Sequence, residues 1–177
     1  LLIATILSAQ CTDERVNQVT KKLFVKYPSL RDFAEAKLSA LEKDIRPTGF
    51  FRHKAQNIKN CCRMLLDEFQ GKIPRDLDAL ILLPGVGRKT GNVVLGNAFT
   101  LASGVVVDTH VTRLSRRLGL TEEKSAERIE QDLISLVPKK HWIQFSHWFI
   151  HHGRQICRAR KPACEKCFLF DLCPRLL

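Results

Sequence analysis

Four cysteines crowd the end of the chain, Cys157, Cys164, Cys167 and Cys173, with the spacing C-x6-C-x2-C-x5-C. Four thiolates in one short segment can ligate a tetrahedral zinc ion or the corners of a cubane iron–sulfur cluster. Structural zinc sites more often join two C-x2-C knuckles, and here Cys164 and Cys167 alone make one, so the wider gaps favour the larger object. Four cysteine ligands leave no iron open, which points to a structural or redox role rather than substrate chemistry at the metal. Arg154, Arg158, Arg160, Lys161 and Lys166 surround the thiols with Glu165 opposing them. The loop is therefore itself a candidate phosphate-binding surface.

A second constellation is Leu83-Pro84-Gly85-Val86-Gly87-Arg88-Lys89-Thr90. Its glycines let backbone amides converge on one side of a turn, and with the positive end of the following helix such amides can hold a phosphate. An ordinary αα-hairpin is the plainer alternative. A mononucleotide P-loop fails on spacing, because G-x4-G-K puts Lys directly after the second Gly and here Arg88 follows Gly87. Lys89 taken alone reads as a phosphate-contacting or solvated lysine. Asp108, after Val105-Val106-Val107, reads as the N-cap of a helix bearing Val111 and Leu114. His110 reads as an ordinary hydrogen-bonded histidine.

The elements that must position these residues are helices. Val16, Val19, Leu23, Phe24 and Tyr27 recur at helical spacing before Pro28. Ser39 and Glu42 have the pattern of a capping box ahead of Ile45, and Pro47-Thr48-Gly49 breaks that short helix. Ala55, Ile58, Cys62, Leu65, Leu66 and Phe69 form a longer stripe ending at Gly71, a left-handed cap. Asp76 to Leu82 gives a short helix, and Arg88 to Phe99 another with Val93, Val94 and Ala98 inward. Further stripes are Val111, Leu114 and Leu118; Ile129, Leu133 and Leu136; then Trp142, Phe145 and Phe149. No segment alternates convincingly, so the class is all-α. Small residues from Thr100 to Gly104 mark a boundary between lobes 1–102 and 103–177.

Composition sets outer limits. The 177 residues carry 29 Lys and Arg against 18 Asp and Glu, a net charge of +11 that favours polyanionic partners, nucleic acid first. With 45% hydrophobic residues the chain is no disordered tail, and its longest apolar runs fall well short of the ~20 residues that span a bilayer. Leu1 to Leu7 lacks the flanks of a signal peptide. Seven cysteines, an odd number with Cys11, Cys61 and Cys62 scattered, argue for reduced thiols in a reducing compartment rather than a disulfide framework.

The hairpin motif, then Val107-Asp108-Thr109-His110, then the cysteine pattern, together resemble the helix-hairpin-helix DNA glycosylases of the endonuclease III kind. The match runs from Leu1-Leu2-Ile3-Ala4 through Leu7-Ser8-Ala9-Gln10 to Cys173. The resemblance implies a six-helix barrel lobe and a helical lobe bearing a [4Fe-4S] cluster on Cys157, Cys164, Cys167 and Cys173. It implies a base-excision-repair enzyme that flips oxidised pyrimidines out of double-stranded DNA, excises them and cuts the abasic strand by β-elimination, as a monomer. Lys89 matches the nucleophile that attacks the sugar C1′, and Arg88 and the helix start both disfavour its protonated form. Asp108 matches a carboxylate that stabilises positive charge on the sugar. Gln10 matches a residue filling the space of the flipped nucleotide, and Phe50 or Phe51 an apolar wedge. DNA contacts are expected at Leu83, Gly85, Val86, Gly87, Arg88, Thr90, His110, Arg154, Arg158 and Lys161. Such an enzyme works in the cytoplasm at the nucleoid of a bacterium or archaeon, or in a eukaryotic nucleus or organelle. The alternatives are an adenine- or thymine-mismatch glycosylase of the same fold, or a non-catalytic DNA-binding module whose cluster senses redox state.

Overall fold

Local capping and apolar spacing account for most helix limits. The computed structural model describes residues 1–175, and every regular element among them is helical. The helices are α1 (Leu2–Leu7), α2 (Asp13–Lys26), α3 (Leu30–Glu35), α4 (Leu38–Ile45), α5 (Phe51–Glu68), α6 (Leu77–Ile81), α7 (Arg88–Phe99), α8 (Thr109–Arg117), α9 (Ala126–Leu136) and α10 (Trp142–Gln155). None of them is long and apolar enough to cross a membrane. Contacts divide the chain into two compact units, Leu1–Leu101 and a second beginning at Ala102.

In the first unit the Thr12 hydroxyl accepts the Arg15 amide at the start of α2, with Asp13 and Glu14 at the positive end of the helix. The expected capping box at Ser39 and Glu42 does not form. Helix α4 begins earlier, with Lys37 as an N-cap that makes no side-chain bond, because Leu38 and Leu41 pack on the core and draw the first turn forward. The box occurs instead at α3, where Ser29 and Asp32 bond each other's amides.

Helix α5 is the spine of this unit. Ala55, Ile58, Cys61, Cys62 and Leu65 are buried along one face, against which α3 and α4 pack. Each large side chain buried there stabilises by about 1.5–3 kcal/mol. Past its end, Gly71 at φ +72° donates its amide to the Leu65 carbonyl, which closes the helix. Helical spacing fixes a face but not where the core stops. The buried face of α7 accordingly runs through Val94 and Leu95 to the half-buried Phe99, leaving Val93 half-buried and Ala98 exposed. Phe24 is also partly exposed, its ring edge-on to Phe33.

The second unit has its own core of Val105, Val107, Val111, Ile129, Leu133 and Phe145. Leu136, in the last turn of α9, lies outside it and is exposed. Helices α8 and α10 pack closely at Gly153, where a Cβ would stand 3.0 Å from side-chain atoms of His110 and Arg113.

Candidate active site and DNA-binding surfaces

The hairpin is built from the inside out. Leu83 and Val86 are 1% and 5% exposed, and their amides bond to the carbonyls of Leu80 and Leu83. The apolar side chains of these two residues, both expected among the DNA contacts, fasten the turn to the core, since they gain more from burial than from solvent. Gly85 sits at φ +81°, and a Cβ there would lie 2.9 Å from Cβ of Asn57 on α5. Gly87 differs. Its φ of −94° suits any residue, and the space where its side chain would stand is open.

Gly87 is the N-cap of α7, so the first-turn amides, those of Lys89 and Thr90 among them, have no acceptor within the helix and mark its positive end. Lys89 is exposed; Arg88 and Thr90 are half-buried. Gly91, one turn in, is a residue that the sequence reading missed. A Cβ there would meet Leu77 at 2.6 Å, so Gly91 is what lets α6 and α7 cross closely. The available signal was a glycine inside a helical pattern, one of two in α7 with Gly96.

Four exposed residues of this unit stand on left-handed backbone without being glycine: Gln70 and Thr100, which follow the ends of α5 and α7, and Gln10 and Phe50, which were singled out by sequence. Gln10 has φ +52° and Phe50 φ +46°, a conformation that costs on the order of 1–3 kcal/mol. Phe50 is 62% exposed. Phe51 is half-buried, with the guanidinium groups of Arg46 and Arg52 within 6.0 Å of its ring. Of the two phenylalanines, Phe50 is therefore the one whose ring is open to solvent.

In the second unit Asp108 is the N-cap of α8. Its Oδ1 accepts the amides of His110 and Val111 at 2.8 Å each, and its Oδ2 lies 3.1 Å from Nδ1 of His110. His110 thus braces the carboxylate, as its hydrogen-bonded reading expects.

Cys157, Cys164, Cys167 and Cys173 are free thiols that line one small cavity with Leu114, Leu118, Ile156 and Pro162. Among the described residues no three His, Cys, Asp or Glu side chains close on a single-ion site. Four thiols spread around a common apolar cavity suit the separated corners of a cubane better than one metal ion. Donors already face the sulfurs, as thiolate ligands require. Arg117 reaches Sγ of Cys157 at 3.4 Å, Nε2 of His152 lies 3.5 Å from Sγ of Cys167, and the Arg175 amide donates to Sγ of Cys173 at 3.4 Å.

Arg113 and Arg117, four apart on α8, were not singled out by sequence. Arg113 donates to the carbonyls of Gly153 and Cys157, and Arg117 to those of Arg158 and Ala159, so α8 holds the cysteine loop from its first ligand onward. The i, i+4 spacing of two arginines was their sole trace. Arg154, Arg158 and Lys161 are exposed around this loop, Lys161 at φ +52°.

Comparison with known proteins matches two family models to the chain. Residues 3–139 match the family model described as HhH-GPD superfamily base excision DNA repair protein, and residues 157–173 match the iron–sulfur binding domain of endonuclease III. The chain is 54% identical over 174 residues to endonuclease III of Synechocystis sp., covering 98% of this chain and 80% of that protein. Among solved structures it is similar to a non-covalent endonuclease III–DNA complex, at TM-score 0.93 and 47% identity over 98% of this chain and 81% of that one. It is equally similar, at TM-score 0.93 and 47% identity over 98% and 82%, to a trapped endonuclease III–DNA covalent intermediate. With both family models matched in order on one chain and near-complete coverage by these relatives, the chain belongs to the endonuclease III family of the HhH-GPD superfamily, base-excision-repair DNA glycosylases with abasic-site lyase activity and a [4Fe-4S] cluster.

Proposed function

We propose that this enzyme removes oxidised pyrimidines from duplex DNA and then cuts the strand at the abasic site, acting as a monomer at the bacterial nucleoid. The observation that carries the reading is Lys89, an exposed amine in the first turn of α7, two residues past the open face of Gly87. Lys89 is the nucleophile. Its neutral amine forms a bond to the sugar C1′ as the glycosidic bond breaks and the base leaves with a proton. Ring opening gives a Schiff base, which acidifies the C2′ hydrogen, and loss of that proton expels the 3′ phosphate.

Asp108 stabilises positive charge as it develops on the sugar. With Oδ1 committed to two amides, the carboxylate is already oriented and needs no rearrangement during reaction. The amides around Gly85, Gly87, Arg88 and Thr90 bind one stretch of phosphate backbone, while Arg154, Arg158 and Lys161 add charge for another. Gln10 and Phe50 enter the duplex where the damaged nucleotide leaves it, an assignment supported by the exposure of both side chains, Phe50 as a large apolar ring 62% exposed. Cys157, Cys164, Cys167 and Cys173 hold the cluster, which supplies a rigid frame for the basic loop.

Borohydride added during turnover tests the central step. It reduces the Schiff base and leaves the protein covalently bound to DNA, and Lys89→Gln abolishes that product while keeping duplex affinity. Full trapping by Lys89→Gln would overturn the assignment.

A further inference from the structure

Lys54 is a charged residue at the centre of the first unit, 5% exposed, on the first turn of α5. Its Nζ donates to the carbonyl of Leu7 at 2.8 Å and to the carbonyl of Thr48 at 2.8 Å. The first acceptor is the last residue of α1, and the second closes the short turn Arg46–Thr48. The Lys54 amide bonds in turn to the Phe50 carbonyl at 3.1 Å.

Two chain segments that meet nowhere in sequence are therefore tied to one ammonium group. Gln10 lies three residues beyond the first acceptor and Phe50 two residues beyond the second, and both are exposed on left-handed backbone. A buried ammonium is expensive to desolvate, and an apolar side chain of similar length would fill the same space. Burial does lower its pKa, an effect partly offset by Cys11. What offsets this cost is the pair of strained tips it holds: of the four exposed left-handed non-glycine residues in this unit, Gln10 and Phe50 are the two that lie just beyond carbonyls bonded by Lys54, and strained backbone persists only where the surroundings over-determine it.

We propose that Lys54 is a positioning residue that sets Gln10 and Phe50 jointly for entry into the duplex. The proposal rests on the assignment of those two residues as the groups that fill the space of the extruded nucleotide. Lys54 itself touches no DNA; it acts by fixing where Leu7 and Thr48 end and thus where both tips begin.

The experiment uses a duplex containing a tetrahydrofuran abasic analogue with 2-aminopurine opposite it, alongside the undamaged duplex. Lys54→Met removes both hydrogen bonds at similar length, and Lys54→Gln keeps one donor on a shorter arm. Each variant is expected to lose about tenfold in preference for the abasic duplex, the order of one strained residue relaxed, with undamaged-duplex affinity unchanged. The 2-aminopurine fluorescence rise on binding should fall in parallel. Folded variants with wild-type preference and fluorescence would overturn the proposal. So would failure of both variants to fold, which would assign Lys54 to the fold alone. Gln10→Ala and Phe50→Ala, measured in parallel, test the underlying assignment: if they keep the preference, that assignment fails, whereas their loss beside an unaffected Lys54→Met refutes the role of Lys54 only.

Discussion

Asp108 and His110 grip each other across two residues of chain: Oδ2 of Asp108 is 3.1 Å from Nδ1 of His110, and its Oδ1 accepts the His110 amide at 2.8 Å. One carboxylate thus caps a helix and is braced by a side chain of the same helix. Capping and the proposed catalytic role do not compete, because they draw on different properties of the group. The cap needs an oxygen acceptor; the sugar needs a negative charge.

Asp108→Asn separates the two. Asparagine caps about as well as aspartate, so stability should stay within ~0.5 kcal/mol of wild type. Base release measured in single turnover should slow by about 10²-fold or more, with duplex affinity retained. An unchanged rate would leave Asp108 as a cap and nothing else.

The two hairpin glycines are expected to respond differently to alanine. Gly87→Ala has ordinary backbone and open space, so thermal stability should hold while affinity falls for damaged and undamaged duplexes alike, since phosphate contacts carry no sequence information. Gly85→Ala meets Asn57 at 2.9 Å on a positive φ and should also lower stability, by about 1–3 kcal/mol. Affinity lost for one damaged base only would contradict the phosphate role.

Arg154→Gln, Arg158→Gln and Lys161→Gln should each flatten the dependence of log affinity on log salt by about 0.9, the counterion released per phosphate contact. Slopes that match wild type would remove these residues from the interface.

Alkaline stability should report the two core thiols. Burial pushes Cys61 up to about 11 and Cys62 up to about 12, from the usual 9.0. Between pH 9 and these values the folded chain keeps protons that the unfolded chain has released. The contribution is therefore full below pH 9 and lost as pH rises through the folded values. Urea midpoints taken from pH 8 to 10.5 should fall, and a Cys61→Ala, Cys62→Ala double variant, less stable at pH 8, should show a shallower decline.

Much of the molecule is legible in its sequence. The all-helical class followed from apolar stripes, the hairpin from its glycines, the Asp108 cap from its place before Val111, and the cluster from cysteine spacing. These signals are local: a cap, a turn or a helical face is set by residues a few positions apart. The core's reach was not local, which is why Ser39 proved to lie inside α4, Ala98 and Leu136 proved exposed, and Leu83 and Val86 proved buried. Lys54 finds one acceptor 47 residues away, and Arg113 finds Cys157 44 residues away. Those acceptors are backbone carbonyls, which every residue carries, so no residue type marks them in advance. The sequence by itself determined which groups could react, ligate and turn the chain. Tertiary packing decided which of them are presented, because a carbonyl becomes a specific partner only when the fold brings a donor to it.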